Sequence, residues 1–185
     1  MNPFDNMPNY DEEAVQPMRQ ELTRVGFAEL KTDQDVEEFF SEKSGTALVM
    51  INSICGCAAG GARPGVQAAL QNSKIPDRLA TVFAGQEKQA VSKVRERLGA
   101  YAPSSPFFAL FRDGELVHAM ERQDISGLGP QEIGEELVRA FDQHCAAEGP
   151  SVPPEVYSTF SNLKVCGSTI PRTAAAPDAH IKPKC

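Results

Sequence analysis

Hydrophobic positions along the chain switch repeatedly between helical and strand spacing. From Ala14 to Arg24, Val15, Met18, Leu22 and Val25 recur at steps of three and four, one face of a helix. Pro17 is expected in its first turn, and Gly26 ends it. Phe27–Leu30 is a short strand candidate, and Thr32 can cap a second helix over Asp33–Ser41 with Val36, Phe39 and Phe40 turned inward. Ala47 to Ile51 is an unbroken apolar run, the mark of a buried strand, and a glycine-rich turn follows it directly. Further helices are predicted over Arg63–Gln71, with Pro64 in the first turn, over Gln86–Leu98, with Ala90, Val91, Val94 and Leu98 on one side, and over Gln131–Cys145. Leu79–Phe83 and Phe107–Phe111 read as strands, and Asp113-Gly114 as a hairpin turn into Glu115–Met120.

Strands separated by helices imply parallel neighbours joined by right-handed crossovers, and the Asp-Gly hairpin adds an antiparallel edge. The predicted architecture is an α/β sandwich with a mixed central sheet and helices on both faces. Periodicity fades after about Ala147, where Pro, Ala and Ser accumulate. Residues 148–185 are therefore expected to form a flexible extension, with Val156–Cys166 apolar enough to dock locally.

The 185 residues can bury a substantial core without disulfide support. Eighteen Lys and Arg against 25 Asp and Glu give a formal charge of −7 with no basic cluster, which argues against a nucleic-acid partner. No stretch approaches the roughly 20 apolar residues of a membrane span. Residues 1–13 carry neither the positive nor the apolar region of a secretion signal, so the cytosol is the expected compartment. Cysteines there are mostly reduced, and a close pair points to catalysis or metal binding rather than to a structural staple.

Such a pair stands in the turn after the apolar strand, Cys55-Gly56-Cys57. A strand-to-helix turn places these thiols near a helix start, whose free N–H groups and dipole favour an anion such as a thiolate. Cys55, ending the strand, is expected to be the more exposed thiol and the attacker, with Cys57, a tail cysteine or an external small thiol resolving. A disulfide across Cys-Gly-Cys closes a tight ring and is expected to be easily reduced, with Gly56 supplying the backbone freedom. Zinc or copper would also accept two thiolates, but no second Cys or His pair has fitting spacing, so no metal is expected. His118, His144 and Cys145 read as isolated structural or surface groups. Arg63 has two readings: it favours the thiolate or receives a carboxylate of a small thiol, or, as the commoner case in a first helical turn, it is simply solvated.

The wording of several segments resembles one family. Asn52-Ser-Ile-Cys-Gly-Cys-Ala-Ala-Gly60, Ala62-Arg-Pro64, Val82-Phe-Ala-Gly-Gln86, Pro103-Ser-Ser-Pro106 and Phe141-Asp-Gln-His-Cys145 are similar to the bacilliredoxins, across roughly residues 10–145. The resemblance implies a thioredoxin-like domain over residues 1–147 and a thiol-disulfide oxidoreductase that removes bacillithiol from mixed disulfides on client proteins. Disulfide isomerisation and a non-catalytic adaptor or metal carrier are the alternatives. It places the nucleophile at Cys55 and the second cysteine at Cys57. It implies no resident cofactor, bacillithiol as co-substrate, and S-thiolated clients and a recycling reductase as partners. Only about one X-Pro bond in twenty is cis, yet the resemblance implies a cis Ser105–Pro106 bond opposite the dithiol, where Ser105 and Pro106 would bind an extended client. Two features depart from the pattern: Gln123 replaces an expected histidine, and the chain runs about 40 residues past Cys145, adding Cys166 and Cys185 as further candidate resolving thiols.

Overall fold

A computed structural model describes residues 7–162 and Thr173. Cys166 and Cys185 lie outside the described residues. The element order is α1 (Glu12–Thr23), β1 (Ala28–Glu29), α2 (Asp33–Ser41), β2 (Thr46–Asn52), a π-helical segment (Ala58–Ala62), α3 (Arg63–Ala69), β3 (Lys74–Ile75) and β4 (Arg78–Phe83). There follow α4 (Lys88–Arg95) with a 3₁₀ turn (Glu96–Leu98), β5 (Phe107–Arg112), β6 (Glu115–Met120), α5 (Arg122–Ile125), α6 (Pro130–His144), β7 (Ala147–Glu148) and α7 (Pro154–Tyr157).

The main sheet has the order β1-β4-β2-β5-β6, with β1, β4 and β2 mutually parallel, β5 antiparallel to β2, and β6 antiparallel to β5. This is the mixed sheet that the alternating pattern predicts, and its arrangement is that of a thioredoxin-like α/β sandwich. Central β2 is buried along its whole length, as expected for a strand covered on both faces. Its Leu48 and Met50 join Leu22, Val66, Phe108, Ile133, Leu137 and Phe141 in one core layer. Val49 and Ile51 face the opposite layer with Val36, Phe40, Val91, Val94 and Phe107. Helices α1, α3 and α6 thus cover one face and α2 and α4 the other.

Local signals hold where they carry a mechanism. Thr32 and Asp35 form a reciprocal capping box at α2. Asp113 and Gly114 both adopt positive φ, 52° and 85°, as a two-residue hairpin with a primed turn requires. Helix α1 differs from expectation: it starts at Glu12, capped by Asp11, so Pro17 lies beyond the first turn. The buried stripe of Val15, Met18 and Leu22 outweighs the hydrogen bond that Pro17 cannot donate.

The extension, expected to be flexible from residue 148, lies on the domain through residue 162. Strand β7 pairs with β3, Gly149 N–H donates to the Ser73 carbonyl (3.0 Å), and Ser151 N–H to that of Leu70 (2.9 Å). Val152 and Phe160 pack on the first core layer, and the Arg24 guanidinium stands 4.4 Å from the Phe160 ring centroid. The proline-rich composition concealed these contacts because two-residue strands and a single helical turn have no periodicity to read.

Candidate active site

Strand β2 ends at Asn52, and residues 53–55 turn the chain into a helix whose residues 56 and 57 are already helical. The Cys55 carbonyl accepts from the N–H groups of Ala58 and Ala59, both at 3.1 Å, so Cys55 caps the helix with its backbone. Five residues, Ala58–Ala62, then form a π-helical segment that runs into α3. Gly65 and Gly61 let this helix press against α6 and the loop before it: a Cβ on Gly65 would stand 2.8 Å from Ile133 Cγ2 and 3.0 Å from the Pro130 carbonyl.

Both thiols are free in this structure, but their exposure reverses the expectation. Cys55 is 4% exposed and Cys57 is partly buried, so Cys57 is the more accessible of the two. The reason is local packing. Ile54 joins Tyr10, Val15, Met18 and Phe83 in a small cluster at the end of the sheet, drawing the turn inward. The Ser53 hydroxyl donates to Cys55 Sγ at 3.1 Å, while Cys57 Sγ lies 3.6 Å from Ser126 Oγ at the end of α5.

Arg63 is not solvated. It is 0% exposed, and its Nε donates to Glu21 Oε2 at 2.5 Å. Its Nη1 donates to the Ser53 carbonyl (2.9 Å) and to Asn52 Oδ1 (3.2 Å). A guanidinium so enclosed cannot receive a carboxylate from solution, which corrects the substrate-binding reading of Arg63. Sequence reasoning missed its partner, Glu21, although Glu21 sits three residues after Met18 on the buried stripe of α1. Gln67 reinforces the pair by donating to the Glu21 carbonyl at 2.6 Å. Arg19 ties α1 to β1 through Glu29 and to the start of α4 through Glu87, and also pairs with Glu12 on its own helix.

The Ser105–Pro106 bond is cis. In the antiparallel register of β2 and β5, Ile51 faces Phe107, so Pro106 precedes β5 at the end of the sheet where β2 runs into the Ser53–Cys55 turn. The neighbouring Ser104 Oγ accepts from the Arg122 N–H at 3.4 Å, tying the proline loop to α5, the element that also brings Ser126 to Cys57. Ser53, Asn52, Glu21, Ser104 and Ser126 were not foreseen as site residues. Only Ser53 and Asn52 had a signal, their adjacency to the dithiol. Gln123 is exposed on α5 and bonds to Glu121.

Cys145 ends α6 and is buried, with burial pushing its thiol up from the ordinary range while a hydrogen bond with Thr46 pulls the other way. Thr46 begins β2 and Cys55 follows its far end, so Cys145 lies toward the opposite end of the sheet. His118 on β6 is half-buried, its Nε2 has no hydrogen-bond partner among the described residues, and burial holds its pKa below the ordinary 6.5.

A dithiol at the exit of a central parallel strand, with a cis-proline loop alongside, defines a thioredoxin-like redox protein. The chain belongs to the disulphide isomerase family, which matches residues 10–145. It is 50% identical over 137 residues to a bacilliredoxin of Halalkalibacterium halodurans, covering 74% of this chain and 95% of that one. It is 49% identical over 138 residues to one of Geobacillus kaustophilus (74% and 95%), and 50% identical over 134 residues to that of Cytophaga hutchinsonii (72% and 98%). The family match ends at Cys145, two residues before β7 and shortly before the extension that starts at residue 148.

Proposed function

We propose that this chain is a cytoplasmic thiol-disulfide oxidoreductase that removes a low-molecular-weight thiol, bacillithiol, from mixed disulfides on client proteins. Cys55 attacks and Cys57 resolves. The observation that carries this reading is the pair of free thiols at the end of β2, with the Cys55 sulfur accepting a hydroxyl hydrogen bond and Cys57 two residues on at the surface. The names of the relatives support the choice of small thiol. In the reaction, the Cys55 thiolate attacks a sulfur of the mixed disulfide and the client leaves as its thiolate. Cys57 or a second small thiol then releases the cap from Cys55. A reductase acting on the small-thiol disulfide, or on the Cys55–Cys57 disulfide, completes the cycle.

The greater exposure of Cys57 favours a second assignment, in which Cys57 meets the client first and Cys55 resolves. The family description favours a companion activity, isomerisation, in which the same thiol attacks a client's own disulfide. One experiment separates the assignments: a client capped with bacillithiol is mixed with wild type, Cys55→Ser or Cys57→Ser, and the freed client thiol is counted. Cys55→Ser is expected to lose release, and Cys57→Ser to retain it when excess small thiol is supplied. The opposite pattern would move the attacking role to Cys57.

A further inference from the structure

Among the described residues the Cys55 sulfur takes a single hydrogen bond, from the hydroxyl of Ser53 at 3.1 Å. Ser53 is itself 6% exposed and held at both ends of its backbone. Its N–H donates to Asn52 Oδ1 (2.8 Å), and its carbonyl accepts from Arg63 Nη1 (2.9 Å). Asn52 is fixed in turn by donating to the Met18 carbonyl (3.3 Å) and accepting from Arg63 (3.2 Å), and Arg63 by Glu21. Three buried polar residues, Glu21 on α1, Asn52 on β2 and Arg63 on α3, thus converge on one serine whose hydroxyl points at the reactive sulfur.

We propose that Ser53 is a catalytic residue of the exchange reaction, holding the Cys55 thiolate, and that Arg63, Glu21 and Asn52 are the positioning residues that aim it. The inference rests on the reading that Cys55 is the attacking thiol. A hydroxyl donates more strongly to an anion than to a neutral thiol, and more so where water is excluded. Burying an Arg–Glu pair is costly and contributes little net stability, but it fixes geometry. At this site the geometry it fixes is that of the Ser53 carbonyl.

Each step balances without the serine giving up its proton. The Cys55 thiolate attacks the cap sulfur; the Cys55–cap S–S bond forms, the client–cap S–S bond breaks, and the electron pair leaves on the client sulfur, which takes a proton from water. A thiolate of the small thiol, the reductant, then attacks the cap sulfur, a disulfide of two small thiols departs, and Cys55 is again a thiolate facing Ser53. The serine favours the attacking anion in the first step and the leaving anion in the second.

The test follows alkylation of Cys55 by iodoacetamide at the level of its peptide, alongside release of a bacillithiol cap. Ser53→Ala is expected to slow Cys55 alkylation about tenfold near pH 7, the size expected of one charge-assisted hydrogen bond. The deficit should narrow as the pH is raised toward 10 and thiolate becomes more plentiful, and the Cys57 peptide should be unaffected. Ser53→Thr, which keeps a hydroxyl, should retain most of the rate, and Arg63→Lys should fall between the two. An unchanged rate in Ser53→Ala near pH 7, or a deficit that persists undiminished near pH 10, overturns the proposal. Cys55→Ser in the same release assay keeps the two readings apart. If it is inactive while Ser53→Ala equals wild type, only the serine's role fails; if it is active, the attacking role of Cys55 fails first.

Discussion

Replacing Arg63 with methionine probes the buried frame behind the dithiol. The guanidinium is 0% exposed, and its Nε–Oε2 contact with Glu21 is 2.5 Å, with Glu21 itself only 3% exposed along its side chain. Methionine fills much of the same volume, so the loss is chiefly electrostatic. Glu21 loses the guanidinium that donates to its Oε2. The Ser53 carbonyl loses its side-chain donor. Breaking one side of a buried pair costs about 3–5 kcal/mol. For a chain of this size that corresponds to a fall in Tm of roughly 6–20 °C, at about 2–4 °C per kcal/mol. Urea unfolding followed by far-UV circular dichroism measures it, with the midpoint read at constant m. The double variant Glu21→Met with Arg63→Met removes both charges and should recover most of the loss, since apolar replacements of whole buried pairs are often neutral. A single substitution that costs under about 1 kcal/mol, or a double variant no better than the single, would refute the reasoning.

Three other outcomes follow from particular contacts. Gly65→Ala places a Cβ 2.8 Å from Ile133 Cγ2 and 3.0 Å from a backbone carbonyl, and should cost about 1–3 kcal/mol in the same unfolding assay. Gly149→Ala would set its Cβ 2.0 Å from the Asn72 carbonyl oxygen. It should therefore lift residues 148–162 off the domain and make them the first site cut in limited proteolysis, with the urea midpoint of the domain falling far less than for Arg63→Met. His118 is held below its ordinary pKa, chiefly by burial and partly by His144, against the pull of Glu136 and Asp124. The unfolded chain therefore takes up a proton that the folded chain refuses, so this group's contribution to stability is full above about pH 6.5 and lost as pH falls below it. Unfolding curves at about pH 7 and pH 5 should show a smaller acid loss in His118→Gln than in wild type; an equal loss would contradict the burial of this ring.

Much of the fold was legible because its decisive signals are local. The apolar run of β2, the Thr32–Asp35 capping box and the Asp113-Gly114 turn each specify a backbone conformation within a few residues. The dithiol was legible for the same reason, since both cysteines lie in one turn. What escaped was long-range. The partner of Arg63 lies 42 positions away on another helix, and a charge whose counter-charge is unknown reads as solvated. The burial of Cys55 depends on Ile54 meeting Tyr10 and Phe83, residues no local window joins. The docking of the extension rests on a two-residue strand and an arginine over a ring, neither of which leaves a periodic trace. Arg63 is thus a residue that the sequence singled out but misread: it bonds to the Ser53 carbonyl, Asn52 and Glu21 inside the protein rather than facing solution.

The central claim, that exchange begins at Cys55, is tested most directly by where the cap lands. Wild-type protein, reduced, is mixed with a bacillithiol-capped client, quenched in acid within the first turnover, and mapped by peptide mass spectrometry. The account predicts the bacillithiol adduct on Cys55, giving way to a Cys55–Cys57 disulfide. An adduct found first on Cys57, with Cys55 unmodified until later, would contradict it.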